Sequence, residues 1–148
     1  MIGSARIAFA AAVVLLTGAT PGLAQDPADD EEAAVRAALQ HYLIAHATGD
    51  GSHHAMVFHP EAKLFWMRDD TLNTRTSADY IAGSPGRPAD DEAQRRREIA
   101  MVDVTGDAAV GKIVLDYPNA LITDYMSLLK IDGEWKIVNK IFTVQPKP

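Results

Sequence analysis

The acidic side chain Asp124 is the clearest candidate for chemistry, because the pattern of the last two predicted strands turns it inward. Asp132-Gly133 is a two-residue hairpin signal. It pairs Ile131 with Glu134, and side chains then alternate along both strands. The inner face carries Asp124, Met126, Leu128 and Lys130 opposite Ile141, Asn139, Ile137 and Trp135.

An inward carboxyl group among apolar neighbours favours its neutral form, which can donate a hydrogen bond to a ligand carbonyl or to an enolate. The alternative is a structural Asp124 bonded to a backbone group or a neighbouring hydroxyl. In the same register Lys140 lies on the outer face opposite Tyr125, where we expect it in a dimer contact or with its stem packed and its ammonium in solvent.

The five histidines are the other candidates. His53, His54 and His59 lie close together, but their spacing matches no standard zinc arrangement. His41 and His46 are five residues apart and do not share a helix face. We therefore expect no metal site and no cofactor. His59 follows a predicted helix and is a candidate general base, with packing or capping as the alternative.

Composition limits the class of protein. The chain has 148 residues, a net charge of −6 and no cysteine. That length suits one domain, and the lack of cysteine excludes disulfides and a thiolate nucleophile. The acidic balance argues against nucleic acid as a partner.

The N-terminus has the layout of a secretory signal peptide. Arg6 precedes an apolar run over residues 7–16, and Gly22-Leu23-Ala24 is a small-x-small cleavage triplet. We expect cleavage after Ala24, a secreted or periplasmic protein and no membrane association of the mature form. An uncleaved membrane anchor is the alternative. Residues 25–32 are then an acidic flexible tail, and residues 33–146 form one domain.

Periodicity in the mature chain predicts helices first and strands afterwards. The first helix has an apolar stripe that includes Tyr42 and His46, Ser52 can cap a second helix, and Tyr80 points inward from a third. In chain order we predict helix 31–47, a short helix ending before Pro60, strand 63–68, a helix from Thr76 or Ser77 to Gly83, loop 84–92, and strands 97–104, 108–117, 121–131 and 134–144.

Two predicted strands are apolar on both faces, which indicates that both faces are covered. These are residues 99–104 and 110–115. Three short helices cover only one side of a five-stranded sheet. We therefore expect the outer sheet face to meet a second copy of the chain in a homodimer.

Several phrases resemble the cone-shaped superfamily that contains nuclear transport factor two, ketosteroid isomerase and SnoaL-like cyclases. The resemblance covers essentially the whole mature chain and implies an α+β fold. In it a strongly bent antiparallel or mixed sheet wraps around helices to form a cone with an internal pocket. The phrases His59-Pro60-Glu61-Ala62, Asp124-Tyr125 and Trp135-Lys136-Ile137-Val138 are most similar to the putative lumazine-binding branch.

The resemblance also implies roles for single residues. In ketosteroid isomerase a tyrosine on the first helix and a protonated aspartate on a late strand form an oxyanion hole. Tyr42 and Asp124 look like the matching positions, so both are candidate catalytic residues. Trp66 stands where the isomerase has its carboxylate base, so isomerisation by that mechanism is not expected.

Together these observations predict an exported small-molecule-binding protein with an apolar pocket for a ring-containing ligand. The alternatives are an isomerase, dehydratase or cyclase, with His59 or a water as base, or a non-catalytic dimerisation or interaction module. The predicted ligand-binding residues are His46, Phe58, Trp66, Tyr80, Met126 and Asn139.

Overall fold

A computed structural model describes residues 27–148. Within this range the chain forms three α-helices, one short 3₁₀-helix and six strands. The helices are α1 (Pro27–Thr48), α2 (Gly51–Val57) and α3 (Ser77–Ala82), with the 3₁₀ turn at Glu92–Gln94. The strands are β1 (Phe58–Arg68), β2 (Thr71–Thr76), β3 (Arg96–Thr105), β4 (Ala108–Tyr117), β5 (Ala120–Ile131) and β6 (Glu134–Pro146). The predicted signal peptide lies outside the described residues.

The six strands form one curved, unclosed sheet in the order β2-β1-β6-β5-β4-β3. All neighbours are antiparallel except β1 and β6, which run parallel. This confirms the predicted α+β fold with a mixed sheet around helices. The sheet has one strand more than expected, because β2 is an exposed edge strand of mostly polar residues and lacks apolar alternation.

The predicted hairpin at Asp132-Gly133 is confirmed. Both residues have positive φ, at 52° and 84°, as a type I′ turn requires. Ile131 pairs with Glu134, and the predicted register continues to the pair Leu128 and Ile137.

Beyond that pair the predicted register is wrong, because β6 contains a β-bulge. Ser127 pairs with Asn139, which leaves Val138 as the extra residue. One extra residue reverses the inward and outward alternation of everything after it. Met126 therefore faces Lys140 instead of Asn139, and Asp124 faces Phe142 instead of Ile141.

The bulge exchanges the roles of two neighbouring residues. Asn139 joins the outer face beside exposed Ser127, so its predicted place in the inner pocket is wrong. Lys140, predicted on the outer face, turns inward and is only 4% exposed. Asp124 keeps its predicted inward position and is fully buried.

Helix α1 lies against the inner face of the sheet through its predicted apolar stripe. Val35, Leu39 and Tyr42 are fully buried. The helix approaches β4 closely at Gly111, where a Cβ atom would lie 2.6 Å from Cδ1 of Leu39. This contact seats the middle of α1, and with it Tyr42, on the sheet.

Helix α1 begins four residues before its predicted start, so the acidic residues 29–32 of the expected tail are helical. Asp29 and Asp30 lie in the first turn, where negative charge favours the helix dipole. Glu31 accepts hydrogen bonds from Lys130 at 2.5 Å and from the Trp135 indole at 3.0 Å. These contacts attach the helix start to the β5–β6 hairpin.

The loop after α3 packs directly on the start of α2. Gly49 has φ of 73°, and its carbonyl accepts a hydrogen bond from Gly86 N at 2.9 Å. A Cβ at Gly49 would lie 2.1 Å from the Arg87 carbonyl oxygen, so only glycine permits this approach. Asp50, and not the predicted Ser52, caps α2 by accepting from Ser52 N at 2.8 Å.

The outer sheet face carries exposed apolar side chains. Val110, Tyr125, Leu129 and Ile141 are 41–49% exposed. Among the described residues, no helix is both long and apolar enough to cross a membrane.

Candidate functional site

A polar cluster of Tyr42, Asp124 and Lys140 is buried where α1 meets β5 and β6. The Tyr42 hydroxyl donates to Asp124 Oδ2 at 2.7 Å and accepts from Lys140 Nζ at 2.5 Å. Lys140 Nζ also lies 3.0 Å from Asp124 Oδ1, in an ion pair without hydrogen-bond alignment. Tyr42 and Asp124 therefore come together as predicted, but around an ammonium group.

The Lys140 ammonium is enclosed by aromatic rings. It lies 4.9 Å from the ring centre of Tyr42, 5.2 Å from that of Tyr80 and 4.7 Å from that of Phe142. Burial alone lowers the pKa of Lys140, but the attraction of the Tyr80 and Asp124 oxygens outweighs it and raises that pKa. The group is therefore a charged ammonium at neutral pH.

Burial also raises the pKa of Tyr42 well above its usual value, and the negative charge of Asp124 adds to the effect. Tyr42 is thus a neutral donor in the cluster. The ammonium donates to the phenol and the phenol donates to Asp124, so the two donors satisfy partners within the cluster. They would stabilise a developing oxyanion only after turning away from these partners.

A series of hydrogen bonds leads from the cluster through His46 on α1 to side chains on β4 and β3. Tyr80 OH lies 3.4 Å from Tyr42 OH and 2.9 Å from His46 Nε2, and His46 Nδ1 lies 3.2 Å from Tyr117 OH. Arg97 Nε donates to Tyr117 OH at 3.2 Å.

The Tyr42 end of this series of hydrogen bonds sets the direction of the others. The Tyr42 proton goes to Asp124, so Tyr80 donates to Tyr42 and accepts from His46 Nε2. A neutral imidazole carries one proton, so His46 Nδ1 accepts from the Tyr117 hydroxyl, whose oxygen also accepts from Arg97. Burial, and next the positive charge of Lys140, hold the pKa of His46 well below its usual range, which agrees with this neutral tautomer.

His54 lies beside this series of hydrogen bonds, but its own side chain forms none. Its side chain is 5% exposed, and neither ring nitrogen has a partner. Its ring centre lies 4.8 Å from that of Tyr80 and 5.2 Å from that of Tyr42. Burial, followed by the charge of Lys140, lowers the pKa of His54 to about 4.

An open cleft of about 520 Å³ lies next to the buried cluster, between β1, β6 and α3. Trp66 and Phe142 stack there with ring centres 5.3 Å apart, and the Arg75 guanidinium lies 5.7 Å from the Trp66 ring. Tyr80 forms another part of the wall. Because the rings of Tyr80 and Phe142 also contact Lys140, they separate the cluster from the cleft.

Most of the predicted ligand-binding residues lie near the buried cluster or the cleft, but they have three different environments. His46, Phe58 and Tyr80 contact the ring of Tyr42 or of His54, at centroid distances of 4.6–6.2 Å. Trp66 lines the cleft, whereas Met126 is buried in the core.

The candidate general base His59 forms its hydrogen bonds in a local turn. Its Nδ1 accepts a hydrogen bond from the Glu61 amide at 3.2 Å, and its carbonyl accepts one from the Ser77 hydroxyl at 3.0 Å. His59 therefore does not contact the Tyr42 cluster. Within residues 29–148 no group of three or more metal-ligating side chains is arranged to hold a metal ion.

Sequence reasoning missed Lys140, Arg75 and Phe142. Lys140 and Phe142 were predicted on the wrong face of the sheet, because the bulge after Ile137 has no signature in the sequence. Arg75 lies on an edge strand that was not expected. His54 was considered only as a metal ligand, and its unpaired burial becomes visible only in the packed structure.

Comparisons with known proteins agree with this architecture. An NTF2-like protein of unknown function from Shewanella baltica OS155 is similar with a TM-score of 0.74 and 24% identity, over 83% of this chain and 100% of that one. Another from Methylobacillus flagellatus KT has a TM-score of 0.67 and 28% identity, over 78% and 93%. The fold is thus that of an NTF2-like cone.

The family is defined by a match over most of the sequence. Residues 30–143 match the family described as "Putative lumazine-binding", and the chain belongs to that family. Aldolase FrzH from a Cladobotryum species is 22% identical over 125 residues, which are 84% of this chain and 100% of that protein. Family and fold together indicate a small-molecule-binding domain.

Proposed function

We propose that this protein is exported and binds a flat, ring-containing small molecule in the cleft between Trp66, Tyr80 and Phe142. The observation that carries the proposal is the aromatic wall of that cleft. Trp66 and Phe142 present stacked rings to a space of about 520 Å³, large enough for a ligand of two fused rings.

The charge at the cleft favours a ligand with hydrogen-bond acceptors. Arg75 is exposed at the wall and supplies planar donors beside the Trp66 ring. Ring stacking together with guanidinium donors suits a heteroaromatic compound that carries carbonyl groups. The family description names lumazine, which has this chemistry, so lumazine is the first probe to use.

In this proposal the buried cluster holds the aromatic rings that form the inner wall of the cleft. The Lys140 ammonium contacts the faces of Tyr80 and Phe142, which fixes both rings at the inner wall. Tyr42 and Asp124 hold that ammonium in place. They act on a ligand through Tyr80, and not by direct contact as the sequence predicted.

Lumazine binding to the purified mature chain can be followed by isothermal titration calorimetry. We expect Trp66→Ala to weaken binding about fivefold or more, because a stacked aromatic contact contributes on the order of 1–3 kcal/mol. Phe65→Ala is the matched control. Phe65 is the neighbouring residue and pairs with outer-face Ile141, away from the cleft. Equal losses in both variants, or no binding to the wild type, would contradict the proposal.

A second candidate is an enzyme that stabilises an enolate. Tyr42 and Lys140 are two neighbouring donors that could serve an enolate if they turned away from Asp124, and the similarity to a protein named an aldolase favours this class. A Schiff base on Lys140 does not fit, since a charged, ion-paired ammonium is no nucleophile. The enolate candidate requires Tyr80 and Phe142 to move aside. Unchanged turnover of a cyclic enone by Tyr42→Phe and Asp124→Ala would rule it out.

We also propose a homodimer through the outer sheet face. Its exposed apolar residues are flanked by Lys112 on β4 and Asp103 on β3. These opposite charges can pair across a two-fold axis when the same face meets its copy. Tyr125→Glu is expected to give monomers in sedimentation velocity at micromolar concentration, whereas exposed Met56→Glu on α2 leaves the dimer intact. A monomeric wild type would refute the dimer.

Export is tested by the N-terminus of the protein made in its own host. Cleavage after Ala24 predicts a mature chain that begins at Gln25 in the periplasmic or secreted fraction. Intact-mass measurement of a chain that still carries residues 1–24 would contradict it.

A further inference from the structure

We infer that a second pocket, on the other side of Tyr80 from the aromatic cleft, binds an oxyanion such as a phosphate or carboxylate group of a small ligand. This pocket has a volume of about 220 Å³ and lies between α1, α2, α3 and the loop that follows α3. One water occupies about 30 Å³, so the pocket has room for a tetrahedral oxyanion.

Positive groups dominate the pocket wall. Arg75, Arg87 and Arg95 line it, and no carboxylate does. Arg95 pairs with Asp91 and Arg87 pairs with Asp90, but the second pair is 70% and 90% exposed and therefore weak.

Arg75 carries the uncompensated charge. In the part of the chain that the structure describes, it has no carboxylate within ion-pair distance. Its side chain is exposed and borders both the pocket and the aromatic cleft. An anion in the pocket would supply the partner that the guanidinium lacks.

The buried histidine on the inner wall is the second and independent observation. His54 lines the pocket, is 5% exposed and leaves both ring nitrogens without a partner. An unpaired buried donor costs stability, and native proteins rarely keep one without a reason. Both ring nitrogens are closed off from solvent, so the imidazole would turn towards the pocket to donate its hydrogen bond to a bound oxyanion.

The fold holds the pocket in shape through its glycines. Gly49 lets the loop of residues 83–89 approach so closely that a Cβ would lie 2.1 Å from Arg87 O. Gly51 lets the end of α3 approach α2, where a Cβ would lie 2.9 Å from Ile81 O. The backbone that carries Arg87 is therefore placed by direct backbone contact.

The position of the pocket narrows the ligand class. Tyr80 and Arg75 line both the pocket and the cleft, so a ring in the cleft would carry its acidic substituent towards His54. The inferred ligand is a heteroaromatic compound with a carboxylate or phosphate group. This ligand class rests on the proposed function, whereas the anion pocket does not.

Inorganic phosphate is the probe for the pocket, titrated into the mature chain at low salt by calorimetry. We expect binding at about millimolar affinity or better. Arg75→Met should weaken it about tenfold or more, since it removes a charge-assisted hydrogen bond. His54→Phe should weaken it similarly while it keeps an aromatic ring in place. Arg96→Met is the control, because it removes one exposed positive charge outside the pocket.

The ring signals of His54 give a second readout. Phosphate beside the imidazole favours its charged form, so the pKa of His54 should rise from about 4 when phosphate is added. Two results would overturn the inference: no phosphate binding to the wild type, or an equal loss in Arg96→Met and Arg75→Met, which would indicate an adventitious ion only. Lumazine binding without phosphate binding would overturn the anion pocket and leave the proposed cleft intact. Phosphate binding without lumazine binding would overturn the cleft and leave the anion pocket intact.

Discussion

Replacement of Lys140 by methionine tests the buried ion pair in the clearest way. The Lys140 ammonium lies 3.0 Å from Asp124 Oδ1, and the two side chains are 5% and 0% exposed. At this distance and an effective dielectric constant of about 20, the Coulomb attraction is about 5.5 kcal/mol. Lys140→Met leaves the carboxylate buried without a cation, a change that typically costs about 3–5 kcal/mol.

The free energy of unfolding can be measured by urea titration with tryptophan fluorescence, since Trp135 is buried in the core. Lys136→Met is the matched control on the same strand. Lys136 pairs with Glu134 at 2.7 Å, but Glu134 is 71% exposed, so a loss below about 1 kcal/mol is expected. If Lys140→Met also cost less than about 1 kcal/mol, the reasoning from the ion pair would be refuted.

A double mutant separates the contribution of the ion pair from the effect of changed packing on the free energy of unfolding. Asp124→Asn combined with Lys140→Met leaves no charged group in the Tyr42 cluster, so the combined loss should be smaller than the sum of the single losses by about 2 kcal/mol or more. Strictly additive losses would show that the two groups do not stabilise each other.

The pH dependence has a defined sign. The folded state raises the pKa of Lys140 above its ordinary value of 10.5. Its stabilisation is therefore fully present below pH 10.5 and is lost as the pH rises through the folded pKa. The difference between the wild type and Lys140→Met should stay constant at neutral pH and shrink only in strong alkali.

The remaining predictions concern His54 and Gly49. Because the folded state lowers the pKa of His54 from 6.5 to about 4, stability should fall as the pH drops from 6.5 to 4, by up to about 3 kcal/mol. His54→Phe should flatten that slope in urea titrations at several pH values, and an unchanged slope would contradict the assignment. Gly49→Ala combines a φ of 73° with a Cβ 2.1 Å from the Arg87 carbonyl, so a loss of about 1–3 kcal/mol is expected. It should also speed amide exchange at Gly86, whose N–H bonds to Gly49, and protection equal to the wild type would contradict the close packing.

The β5–β6 hairpin shows which features of this protein can be predicted from neighbouring residues in the sequence. Asp132-Gly133 predicted the turn and the first pairs correctly, since both depend on residues next to each other in the chain. The bulge at Val138 depends on how β6 bends between two neighbours, and no residue there signals it. That single irregularity moved Lys140 into the site and Asn139 out of it.

The sequence by itself determined the stripe of α1, five of the six strands and the inward position of Asp124, because periodicity and turn chemistry are local. It indicated the class of fold and the pairing of Tyr42 with Asp124 through the resemblance of its phrases to a known superfamily. Only the tertiary structure decided that β6 lies between β1 and β5 and that a bulge brings Lys140 to Asp124. It likewise decided that His54 is buried without a partner. These features arise from contacts between residues far apart in the chain, where packing and charge compensation, and not local preference, set the geometry.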